Sequence, residues 1–182
     1  MRIALGSLVG TLGGAAFVLL SAGGLHPAAA SWTVRALGVV GFAVVIGFAV
    51  VIARRGQERP EISRSSIRLY GVAVLGMLVA FPLGSFVLRT LGHPDLVLAW
   101  VVVVVGAHFL PLARVFAARI FVHLALALVL VGVVGGLLVL AGGVDWRPWT
   151  GVAAGFAVLW FSGPAAARAS RPAPGATTPV GR

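Results

Sequence analysis

Two histidines, His108 and His123, are the side chains of this sequence best placed to do chemistry. Each lies inside an apolar run, and the runs are joined by a short basic turn from Arg114 to Arg119. If both runs are helices folded back on one another, the turn centres near Ala117 and the two imidazoles sit at similar depth. At 1.5 Å per residue each ring is then roughly 6–10 Å in from its end of the helix. Ionisable groups at such a depth in a bilayer are costly and often functional. Two imidazoles there could pair, relay a proton, or bind a metal with a third ligand. The competing reading is structural: each ring is neutral and hydrogen-bonds a helix carbonyl or interfacial water. No other histidine or carboxylate falls at that depth, and two ligands alone make a poor zinc site. His108, His123 and Arg114 are thus the candidate polar or proton-linked site, beside the structural reading, and neither metal nor cofactor is expected.

The elements that hold these residues follow from composition. The chain is 60% hydrophobic and only 10% charged, with a mean hydropathy of +1.08. A soluble domain carries roughly 25% charged residues, so a bilayer is the solvent that suits this chain. The expected fold is all-α: a polytopic transmembrane bundle of six spans at about 3–25, 32–53, 67–91, 96–113, 120–141 and 150–167. Residues 1–167 form one integral membrane domain, and 168–182, rich in Pro, Gly, Thr and Arg, form a disordered tail. The five consecutive valines Val101–Val105 would suggest a buried strand in water. In lipid a lone strand leaves its backbone unpaired, so a helix is expected. No ten-residue alternation points to a membrane barrel.

The first run could be read as a signal peptide, with Ala28-Ala29-Ala30 before Ser31 as the cleavage site. It is longer than the usual signal core, so a retained helix is expected. Gly6, Gly10 and Gly14 recur every four residues there, and Gly151 and Gly155 repeat the spacing in the last span. Such faces let helices approach closely, either within the bundle or in a homo-oligomer or with a membrane partner. Pro82, Pro111 and Pro164 are the expected kinks.

The net charge of +10 arises because fourteen arginines face only four carboxylates, Glu58, Glu61, Asp95 and Asp145. The arginines lie between the apolar runs, where orientation signals belong, so nucleic acid is not the expected partner. With six alternating spans, eleven arginines fall on the side of the polar loop from Arg54 to Arg68, and three (Arg35, Arg89 and Arg147) on the other. The positive-inside rule then puts both termini in the cytoplasm and the protein in the inner membrane. Trp32, Trp146 and Trp149 gather at the opposite boundary as an aromatic belt.

Cysteine and lysine are both absent, which removes disulfides, thiolate sites and Schiff bases. There is no Walker loop, no GxSxG elbow, no HExxH and no carboxylate inside a span, so the usual hydrolytic enzymes and carboxylate-driven pumps are disfavoured. The lysine-free, Ala-, Gly- and Val-rich composition fits a high-GC bacterial genome. The piece Gly106-Ala107-His108-Phe109-Leu110-Pro111-Leu112-Ala113-Arg114-Val115-Phe116 resembles a segment of small multi-pass bacterial membrane proteins of unknown function. That resemblance covers roughly the fourth and fifth spans. It implies a helical integral membrane protein, draws attention to His108, Pro111 and Arg114, and transfers no activity. Two functions remain open: a structural, regulatory or accessory protein working through helix contacts, and a small transporter or channel with a polar site near His108 and His123. Three-plus-three inverted halves would suit the second, but Phe81-Pro82-Leu83 beside Phe109-Leu110-Pro111-Leu112 is the nearest thing to an internal repeat.

Overall fold

The computed structural model of the chain describes residues 2–54, 64–115, 119–142 and 145–168. They form an all-α bundle of six helices: α1 (Arg2–Ala22), α2 (Ala28–Arg54), α3 (Arg64–Thr90), α4 (Val97–Val115), α5 (Ile120–Leu140) and α6 (Trp146–Arg168). A single 3-10 turn, Pro94–Leu96, leads into α4. Four segments, Ala28–Gly47, Arg68–Thr90, Pro94–Val115 and Ile120–Leu140, are long and apolar enough to cross a membrane. The valine run is helical, as lipid requires of an unpaired backbone. The centre of the polar loop before α3, the middle of the Arg114–Arg119 turn and the tail beyond Arg168 lie outside the described residues.

Two helices begin a full turn earlier than the sequence suggested. The alanines after Pro27, read as loop, form the first turn of α2, with Ala30 N–H donating to Pro27 O at 2.9 Å. Alanine is the best helix former, and nothing there interrupts it. Likewise Trp146, Arg147, Pro148 and Trp149 are the first turn of α6 and not a loop. Proline suits that turn, whose N–H groups have no helical acceptor. Further along, helices run through all three prolines expected to kink them, Pro82 in α3, Pro111 in α4 and Pro164 in α6. The end of α3 is fixed by Gly92 at φ +79. Gly92 N–H bonds Arg89 O at 3.1 Å and His93 N–H bonds Leu88 O at 2.8 Å, the paired bonds of a Schellman cap.

Successive helices run antiparallel, and α6 is the central one. It packs against α1, α2, α4 and α5, while the broadest single contact is between α4 and α5. Its two faces feed two cores. Val152 and Leu159 join Val18, Ala22 and Leu25 around α1 and Val34 of α2. Ala154 and Val158 join Val102 of α4 and Leu124 and Leu128 of α5. By contrast the extended contacts of α3, among the described residues, are with α4 and the turn before it, and none of the residues from Arg68 to Thr90 is buried.

Glycine is what brings the backbones together. A Cβ on Gly155 would stand 2.6 Å from Gly14 O and 2.9 Å from Val18 N. A Cβ on Gly132 would stand 2.9 Å from Ala99 O, and one on Gly106 would stand 2.9 Å from Val129 N. On Gly151 it would collide with the Ser21 hydroxyl, and on Gly135 with Thr150. Gly14, Gly151 and Gly155, which the sequence also offered to a second molecule, therefore face each other's helices inside one chain. An oligomer through those three positions is displaced by the α1–α6 contact, which leaves no open glycine face there. Gly6 and Gly10 lie farther along α1.

This contrast makes a stability prediction. Gly155→Ala should destabilise the bundle by about 1–3 kcal/mol through overpacking. Gly76→Ala in α3, where a Cβ meets nothing within 4 Å, should be neutral or slightly stabilising, since alanine is the better helix former. Thermal unfolding midpoints of the two variants in one detergent check this.

Candidate functional site

His108 sits in α4 three residues after the Val101–Val105 run, on the side facing α3. Its part-buried imidazole lies with Nδ1 3.1 Å from Ala73 O. A carbonyl oxygen only accepts, so Nδ1 carries the proton and donates. Phe109 packs edge-on to this ring with centroids 6.1 Å apart, and Phe109 in turn stacks on Phe121 of α5 at 6.1 Å and 7°. These aromatics tie α4 to α5 beside the turn.

His123 is placed differently. It is exposed, one turn into α5, and its Nδ1 donates to Arg119 O at 3.0 Å, a carbonyl at the start of its own helix. Arg114 is exposed in the last turn of α4, where a cation complements the helix dipole. All three candidate residues therefore share one end of the α4–α5 hairpin. Their hydrogen bonds do not converge: one ring reaches across to α3, and the other closes on its own helix. Among the described residues no three His, Asp or Glu side chains cluster in a way that could hold a metal.

A second tie to α3 was not singled out by the residue pattern. Trp100 of α4 donates its indole Nε1–H to Ala80 O at 3.0 Å. The indole reaches that carbonyl because Gly84 has no side chain; a Cβ there would run into the ring. The acceptor lies two residues before Pro82 and is not Leu78 O, the carbonyl that proline leaves without its helical donor. Ala73 and Ala80 are seven residues apart, two helical turns, so both acceptors lie on one face of α3. Trp100 and His108, eight apart on α4, meet them in antiparallel register. The signal for this pair was present: an indole N–H inside an apolar span needs an acceptor, and a glycine on the neighbouring span can expose one.

Two ring N–H to backbone bonds thus reinforce the packing of α3 on α4. Such interhelical bonds in membrane proteins contribute about 0.6 kcal/mol on average and about 1.7 at most. Compared with known proteins, the chain matches no family model, no curated protein and no solved structure.

Two outcomes follow for α3. Gly84→Ala should destabilise the wild-type background and lose most of that cost in a Trp100→Ala background, a coupling that a double-mutant cycle of unfolding free energies measures. His108→Leu should weaken α3 packing by about 0.6–1.7 kcal/mol. His123→Leu, which removes only a bond within α5, should not.

Proposed function

We propose that this chain is a multi-pass membrane protein of six spans that acts as an accessory subunit, offering α3 to a second membrane helix. The observation that carries the reading is the exposure of α3. It has one helical neighbour, and its residues from Arg68 to Thr90 include no buried position. Val72, Leu75, Leu78, Val79, Leu83 and Phe86 are all exposed along it. A wholly apolar groove of about 240 Å³ lies between α4 and α5, lined by Trp100 and Val103 on one side and Gly136, Leu137 and Leu140 on the other, and Leu88 is the α3 residue that reaches it. Lipid can cover such a surface, and so can another apolar helix. In this reading the arginine-rich end faces the cytoplasm, with both termini, and the tryptophan end faces outward.

The interior weighs against the transport reading. Among the described residues the buried polar side chains are Thr11, Ser31 and Thr150, and no charged side chain is buried. His108 and His123 are each committed to a separate carbonyl. A solute path needs convergent polar groups facing water, and these rings do not converge.

Photo-crosslinking in the native membrane tests the accessory role. A crosslinking residue at Leu75, Leu83 or Phe86 should give a discrete protein adduct, whereas one at Leu126 or Leu130 on the exposed face of α5 should give lipid alone. Lipid adducts alone at both sets of positions would remove the proposal.

A further inference from the structure

At the tryptophan end, the last turn of α3, the 3-10 turn and the first turn of α6 enclose a cleft of about 440 Å³. It is lined by Arg89, Asp95, Arg147, Val97, Leu98 and Val101, with Pro94 at its rim. The cleft exists because α3 and α6 both lean on α4 and do not pack on each other. Its lining changes character with depth. Two guanidiniums and one carboxylate stand at the mouth, and the aliphatic side chains of α4 descend from it, Val97 and Leu98 first and Val101 a turn lower.

The charges at the mouth do not cancel. Asp95 pairs with Arg147 through one guanidinium nitrogen, across the start of α4 and the start of α6. A guanidinium has five N–H donors, so Arg147 keeps most of its own for another acceptor while the carboxylate holds it at the cleft. Among the described residues Arg89 has no ion pair. Two cations against one anion leave a net positive charge beside an apolar floor. Arg35, the third arginine of this end, is engaged elsewhere, with its guanidinium 5.3 Å from the Trp32 ring. The cleft volume lies within the range of small-molecule sites. Arginine pairs are also the preferred binders of phosphate, which they hold by charge-assisted and often bidentate bonds.

The geometry points to this cleft as a binding site for an anionic phospholipid, its phosphate between Arg89 and Arg147 and the upper part of an acyl chain along Val97, Leu98 and Val101. The shared chemistry is a phosphate; the apolar floor selects the lipid over the free ion. The inference rests on the chain's lying in a bilayer and not on a protein partner for α3, so the crosslinking result and this one can fail separately. Asp95 tunes the site, positioning Arg147 while withholding part of its charge.

Native mass spectrometry of the purified full chain, titrated with short-chain phosphatidylglycerol, tests it. One tight adduct is expected, with phosphatidylcholine about tenfold weaker or more, and Arg89→Gln should weaken the phosphatidylglycerol adduct by about tenfold, the loss of one charge-assisted bond. Arg147→Gln also breaks the ion pair, so Asp95→Asn is the sharper second variant. It should tighten phosphatidylglycerol binding by freeing Arg147, an effect that a purely structural strut would not give. Millimolar inorganic phosphate should not displace the lipid. The proposal is overturned by unchanged binding in Arg89→Gln, by equal binding of the two lipids, by weaker binding in Asp95→Asn, or by displacement with inorganic phosphate.

Discussion

In a bilayer the hydrocarbon outside a helix is as apolar as the side chains on it, so helices gain little by merely hiding oily surface from lipid. What they gain is contact, and contact grows as the backbones approach. In this chain glycines set that distance. Gly14 against Gly155 closes α1 on α6, Gly106 and Gly132 close α4 on α5, and Gly135 admits Thr150 of α6 to α5. Each pairs an absent side chain with a backbone or a small group opposite. The central place of α6 follows, because Gly151 and Gly155 turn toward α1 while Ala154 and Val158 turn toward α4 and α5.

α3 departs from that scheme. Gly71 and Gly76 have open space where a Cβ would be, and Gly84 serves not a neighbouring backbone but an indole ring. Trp100 and His108 add two polar ties to the packing of α3 on α4, whereas the glycines of the other helix pairs bring backbone against backbone or a small side chain. The difference matters for function. α3 makes its one extended helix contact with α4, whereas α6 packs against α1, α2, α4 and α5, so displacing α3 breaks one interface and displacing α6 breaks four. The cleft at the tryptophan end fits the same arrangement, since α3 and α6 each pack on α4, and Arg89 and Arg147 both line it.

The helical class was legible because hydropathy and the need to satisfy the backbone in lipid leave one answer for runs of this length. Gly92 and Gly142, each just beyond the end of an apolar helix, turn the chain at positive φ, where glycine carries no side-chain penalty. Helix starts were less so: Ala28–Ala30 and Trp146–Trp149 carry loop-like neighbours, Pro27 and Pro148, that in fact suit a first helical turn. The glycine ladders signalled close packing, but spacing alone does not say which helix lies opposite. Only the fold shows that Gly155 meets Gly14 of the same chain. His108 and His123 were correctly placed at one end of a hairpin. Their acceptors were not readable, because the residue pattern does not say which backbone carbonyl an imidazole reaches, whether on the preceding helix α3 for His108 or on its own helix for His123. For Trp100 the sequence signals that an indole inside a span needs an acceptor, but not which backbone carbonyl supplies it.

The central claim is that α3 is held separately from a glycine-packed core. Because the chain has no cysteine, spin labels can be placed at will, and distance distributions in lipid nanodiscs address the claim most directly. One pair would join Leu75 of α3 to Leu130 of α5, and a second would join Leu20 of α1 to Ala153 of α6, all exposed positions. In a Trp100→Phe, His108→Leu double variant the first distribution should broaden and the second should stay as narrow as in the unmodified protein. Equal broadening of both, or of neither, would contradict the account.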